Sequence, residues 1–165
     1  MRLLLISHAA ATAGQDLSEA ARGRAAEVGR ALPSARAAFT SAAPVAVQTA
    51  EALGLRPSPD PRLSDWREHD QSIAELFGRV GEWMRLRRDE QGTRAAVTHV
   101  AVIRAAVVLA LEVPVRRFDA IDVAPCSVTV LSYREGHWRV DRLNWEPALL
   151  HIPQRRGRRR PRPAI

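Results

Sequence analysis

Two histidines, His8 and His99, share a local signature: an aliphatic run, then a hydroxyl residue, then the imidazole. The first stretch reads Arg2-Leu3-Leu4-Leu5-Ile6-Ser7-His8 and the second Ala95-Ala96-Val97-Thr98-His99. A free imidazole at the end of a strand can attack phosphorus and carry a phosphoryl group. Such a site needs the nucleophile, positive charge around the phosphate, a second group to stabilise the transferring phosphoryl, and an acid for the leaving oxygen. His8 and His99 supply two of these. The helix that begins at Val100 points backbone N–H groups at the same place, and Asp65, on the loop just after Leu63, can supply the acid. His8, Asp65 and His99 also have the residue types of a metal site, but no ligand spacing supports one. No metal and no cofactor is therefore expected.

The elements that must bring these residues together follow from the pattern around them. An unbroken aliphatic run over 2–7 reads as a strand buried on both faces, the central strand of a parallel sheet. Ligands in such sheets bind beyond the carboxyl ends of the strands, which is where His8 falls. Helical spacing of Ala21, Ala25, Val28 and Leu32 predicts a helix capped by Ser18 and stopped by Pro33. A short strand over 35–40 follows, ending before Ser41, and Pro44 opens a second helix that Gly54 closes. Three prolines in 55–62 restrict that segment to loop or edge strand. Ser72 caps a long amphipathic helix to about Arg88, with Ile73, Leu76, Phe77, Val80, Trp83, Met84 and Arg87 on its inner stripe. A third buried strand over 94–98 leads to His99 and a helix over 100–112 ended by Pro114, with a short turn over 115–119. Alternation over 127–133 and 137–143 around Glu135-Gly136 reads as a hairpin. The β-α alternation predicts an α/β fold, a three-layer α/β/α sandwich whose central sheet is mostly parallel with one antiparallel edge.

The chain has 165 residues, 46% hydrophobic and 26% charged, enough for one domain with a sizeable core. Its net charge is +7 and every Lys or Arg is an arginine; the pI is about 11.3. Arginine richness together with abundant Ala, Val and Pro is also what a GC-rich genome produces, so it says little about function. The single cysteine, Cys126, rules out an internal disulfide and suits a reducing, cytoplasmic setting. No apolar run approaches a membrane span, and the run after Arg2 is too short for a signal peptide core. No Gly-rich loop follows the first strand, which excludes a Rossmann dinucleotide site. The domain is expected to span 1–152. Residues 153–165, with six arginines among Gly and Pro, form a basic tail of disordered composition. Such a tail can contact nucleic acid or an anionic surface by counterion release.

Taken in order, the strand and His8 followed by Thr12, Arg22-Gly23-Arg24-Ala25, the run from Thr40-Ser41 through Pro44-Val45 and Gln48-Thr49-Ala50 to Leu53, Arg62-Leu63-Ser64-Asp65, and Val97-Thr98-His99 through Ile103-Arg104 resemble the histidine phosphatase superfamily, also called phosphoglycerate mutase-like. The resemblance covers roughly residues 2–144. It implies phosphomonoester hydrolysis through a phosphohistidine at His8, with His99 as the second pocket histidine, Asp65 in the place of the proton donor, and Ser41 near the phosphate. Substrate contacts are expected from Ser7, Thr12, Ser41, Arg67 and Val100, and the partner is a small phosphorylated molecule.

The chain departs from the family pattern at both phosphate-clamping arginines. Ser7 stands where the family has Arg before the nucleophile, and Val45 stands where it has Arg in the second motif. The segment between Asp65 and Ser72, which helps roof the family's substrates, is cut to a few residues. A guanidinium grips phosphate in two-pronged fashion and neither Ser nor Val replaces it. Arg67, two residues from Asp65, is the best placed substitute. Ser7 and Val45 are expected to line the cleft beside the two histidines. Two functions stay open: a phosphatase with weak or lost turnover, and a catalytically inactive anion-binding or interaction protein of the same fold with a basic tail contacting nucleic acid.

Overall fold

The computed structural model describes residues 1–11, 16–69 and 72–147; Thr12, His151 and the basic tail lie outside them. Six strands form one sheet in the order β3-β2-β4-β1-β5-β6. β1 (Arg2–Ser7), β2 (Ala37–Thr40), β3 (Pro57–Pro59) and β4 (Thr93–Thr98) run parallel, and the hairpin β5 (Val128–Arg134) and β6 (His137–Trp145) closes one edge, β5 antiparallel to β1. The expected sandwich is therefore present. β3 carries two prolines and occupies the opposite edge, where a missing N–H costs the ladder nothing.

Alternation along β1 divides the core. Leu3 and Leu5 point into a cluster built with α4 (Ile73–Arg87) and α5 (Val100–Leu111), while Leu4 and Ile6 point into one built with α1 (Glu19–Ala31) and α2 (Pro44–Ala52). All four are at most 1% exposed, as expected of a strand covered on both faces. α5 is apolar nearly all round because it lies between α4 and the sheet, with Val102, Ile103 and Ala105 to Val108 buried. Ser18 and Ser72 cap α1 and α4 through their hydroxyls, which accept from Ala21 N and Glu75 N. One member of the α4 stripe departs from expectation: Ile73 is 40% exposed, since as the first helical residue it sits at the end of the packed face.

The α4 face carries a polar seam. Asp60, 5% exposed, accepts hydrogen bonds from the Arg62 guanidinium (2.9 Å), Trp83 Nε1 (3.1 Å) and Arg87 (3.1 Å). The Arg87 guanidinium lies over the rings of Phe39, at 4.2 Å, and Trp83, at 4.5 Å. Those ring faces serve the cation where its buried Nε has no hydrogen-bond partner. Arg79, one turn before Trp83, donates to the carbonyls of Arg62 and Ser64. Asp60 also caps the 3-10 turn Pro61–Leu63. The seam thus fixes the backbone that leads directly to Asp65.

Gly29 is where α1 meets the end of α2. A β-carbon there would come within 2.3 Å of the Leu53 carbonyl oxygen and 2.8 Å of its Cα, backbone that cannot swing aside. Gly29→Ala should therefore cost about 1–3 kcal/mol through overpacking, against the usual gain of Ala over Gly in a helix. A urea unfolding midpoint that stays put or rises would show that the two helices part freely.

Candidate active site

Strand register explains how residues 91 positions apart meet. Ser7 on β1 pairs with Thr98 on β4, so the residues that follow each, His8 and His99, emerge side by side at the carboxyl edge of the sheet. The His8 backbone N–H donates to the Thr98 carbonyl at 3.0 Å. The two rings meet edge to face with centroids 5.0 Å apart.

Each ring is held differently. His8 Nδ1 lies 2.9 Å from the Ala9 carbonyl. A carbonyl only accepts, so Nδ1 must carry the proton, and Nε2 of the neutral ring keeps its lone pair. The Ala9 N–H in turn donates to Thr49 Oγ1 at 3.0 Å, and Thr49, wholly buried, donates to the Val45 carbonyl. One turn of α2 therefore sets the backbone on which His8 leans. Gln48 grips the far end of the same loop, its Oε1 accepting from Leu17 N and from Arg22. His99 is 6% exposed and caps α5, and its Nε2 lies 3.0 Å from Ser41 Oγ.

A cavity of about 320 Å³ opens on the pair. Asp65, Trp66 and Arg67 form one wall, carried by the loop after Leu63 and the first turn of α3 (Trp66–His69). Thr98 pins that loop, its hydroxyl donating to the Leu63 carbonyl at 2.6 Å. Val100, Ala101 and Arg104 from the start of α5, with Phe118 and Asp119 from the 3-10 turn Val115–Ala120, form the other wall. Arg104 is tied down: its Nε donates to the Ile121 carbonyl at 2.7 Å and its Nη1 lies 3.6 Å from Asp119. Arg67 is exposed, and among the described residues nothing holds its guanidinium. No three His, Cys, Asp or Glu side chains among the described residues converge so as to hold a metal.

Of the residues singled out in the sequence, His8, His99, Asp65, Arg67 and Val100 come together around this cavity. Ser41 is fully buried behind His99 and touches it without lining the cavity. Ser7 and Val45, expected along the cleft, are not among its lining residues. Ser7 is 1% exposed, enclosed between β4 and β5, with its carbonyl accepting from Cys126 N. Val45 packs into the α1/α2 cluster instead. Thr12 falls outside the described residues. Trp66, Phe118 and Asp119 were not anticipated. The last two sit on a turn without periodicity, and no local pattern signals that it folds back over the start of α5. Cys126 is buried, and burial pushes its thiol up against the opposing charge of Arg24, the state of an inert structural cysteine.

A sheet of this order with two imidazoles at its carboxyl edge defines an α/β protein of the phosphoglycerate mutase-like fold. The model of the histidine phosphatase superfamily, branch 1, matches residues 64–146, half of the chain, a span that includes Asp65 and His99. The chain belongs to that superfamily. No curated protein sequence matches it. Several solved structures share the fold. A mutant phosphoserine phosphatase from Entamoeba histolytica bound to phosphoserine is 14% identical, with a TM-score of 0.77 over 90% of this chain and 98% of that one. The alpha-ribazole phosphatase from Shigella flexneri is 15% identical, with a TM-score of 0.75 over 88% and 97%. A mycobacterial glucosyl-3-phosphoglycerate phosphatase with inorganic phosphate is 22% identical, with a TM-score of 0.68 over 89% and 98%. No helix among the described residues is long and apolar enough to cross a membrane.

Proposed function

We propose that the protein is a slow phosphatase that hydrolyses a small phosphomonoester through a phosphohistidine at His8. The observation that carries this reading is the hydrogen bond from His8 Nδ1 to the Ala9 carbonyl, which keeps the Nε2 lone pair available for nucleophilic attack on a ring that lines the cavity. Nε2 attacks phosphorus and the ester P–O bond breaks. Asp65, protonated at that moment, gives its proton to the leaving oxygen. Arg67 hydrogen-bonds the equatorial oxygens, with His99, held by Ser41, beside them. Asp65 then takes a proton from water, which attacks phosphorus, breaks the N–P bond and releases inorganic phosphate.

Turnover should be slow because two guanidinium clamps are gone. Loss of one transition-state donor costs about 10²–10³ in rate, so two cost roughly 10⁴, within the non-additivity of groups that act together. Neither Ser7 nor Val45 brings a cation, and Arg104 is engaged by Ile121 and Asp119, so in this reading Arg67 is the lining cation that swings onto phosphate.

The test is to trap the intermediate. Enzyme mixed with ³²P-labelled aryl phosphate and a chelator, then quenched in alkali, should retain label at His8 that acid releases, and the label should be absent from His8→Asn. Arg67→Ala should slow label formation by about 10-fold or more. An enzyme that binds inorganic phosphate but never takes up label would instead establish the second function, anion binding without catalysis.

A further inference from the structure

Beside the reacting groups, the cavity carries features that bear on what the leaving group can be. The lining includes aromatic and aliphatic side chains, Trp66, Phe118, Val100 and Ala101, against which a leaving group can lie. The Phe118 ring is braced from behind by Phe77, with centroids 5.9 Å apart, so the wall is set before anything binds. Among the described lining residues the charges are two arginines and two aspartates. Arg104 and Asp119 already face each other at 3.6 Å, and Asp65 lies two residues before Arg67 in sequence. Once a phosphate engages Arg67, no unmatched cation is left among them for a second anionic group.

We infer that the preferred substrates are monophosphate esters of uncharged, ring-bearing alcohols, with the ring lying against Trp66, and that esters carrying a second carboxylate or phosphate are discriminated against. This rests on the proposed catalytic reading for turnover but not for binding. A planar ring gains from stacking on an indole what a short chain of similar polarity does not. A carboxylate on the leaving group meets the like charge of Asp119, while the lining cation nearest to it, Arg104, is already paired with that aspartate. The cavity of about 320 Å³ has room for one ring plus a phosphate. Trp66 is then the specificity-determining residue.

Non-hydrolysable phosphonates test binding independently of catalysis. By calorimetry with the full chain, benzylphosphonate should bind about five- to tenfold more tightly than propylphosphonate, the stacking difference expected of an aromatic pair. 3-Phosphonopropionate should bind more weakly than propylphosphonate. In Trp66→Leu the benzyl-to-propyl ratio should fall towards one. Equal affinities in the unaltered protein, or tighter binding of 3-phosphonopropionate, would overturn the inference. The matching esters, benzyl and propyl phosphate, have leaving groups of similar basicity, so a rate ratio that follows the affinity ratio extends the conclusion to turnover. If neither ester is hydrolysed while the affinity order holds, the catalytic reading fails and this one survives. If both are hydrolysed without preference and the affinities are equal, the reverse is true.

Discussion

Replacing His8 with alanine is expected to lower single-turnover hydrolysis of an aryl phosphate by about 10³-fold or more, to the background rate. The same change should leave thermal unfolding almost unmoved. The two outcomes separate because of how His8 is held. Among the described residues its ring bonds to the carbonyl of the next residue and meets the edge of His99, so its removal detaches no element of the fold. His99 makes the contrasting case. It is nearly buried and is bonded to a fully buried Ser41, so His99→Ala should lose both activity and stability, by about 1–3 kcal/mol for the hydroxyl left behind. Turnover that survives His8→Ala undiminished would remove His8 from the chemistry and with it the phosphohistidine route.

The largest change in stability is expected at Asp60. Asp60→Ala leaves Arg87, 7% exposed, without the carboxylate it is hydrogen-bonded to, and removes the acceptor of Trp83 Nε1. Breaking a buried pair by removing one partner costs about 3–5 kcal/mol. Because the Asp60 seam fixes the approach to Asp65, phosphatase activity should fall with it. The effect also has a pH signature. Burial opposes ionisation of Asp60, but hydrogen bonds from Arg62 and the charges of Arg62 and Arg87 outweigh it and hold the carboxyl below its ordinary value. Burial in turn lowers Arg87, against the charge of Asp60, and the pair stays ionised at neutral pH. A carboxyl depressed in the folded state contributes stability above its unfolded value, near 3.9, and that contribution disappears as pH falls through the lower folded value. The stability gap between the unaltered protein and Asp60→Asn should therefore be constant from neutral pH to about 5 and close below about 4. A gap that is absent at pH 7, or that widens in acid, would mean that the seam does not carry an ionised Asp60.

Some features were legible in the chain because their signals are local. Aliphatic runs ending in Ser7-His8 and Thr98-His99 mark strands covered on both faces, and the structure has β1 and β4 side by side. Ser18 and Ser72 announce helix starts, and the prolines of 55–62 confine that segment to an edge. Each of these depends on steric or hydrogen-bonding preferences within a few residues. Asp60, by contrast, sits among three prolines in a stretch that reads as loop, and nothing nearby tells of Trp83 and Arg87 more than 20 positions on.

The chain by itself therefore determined the α/β layering, the two imidazoles at strand ends and the absence of arginine at positions 7 and 45, since strand and helix periods and residue identities are properties of short stretches. Tertiary structure alone decided the rest. Packing in three dimensions buried Ser7, seated Val45 against the α1/α2 cluster, set Ser41 against His99, and drew Arg104 onto Ile121 and Asp119. It also brought Trp66 and Phe118 to the lining of one cavity. These outcomes are contacts between elements far apart in sequence, fixed by which side chains fill the same space and which buried polar groups find a partner.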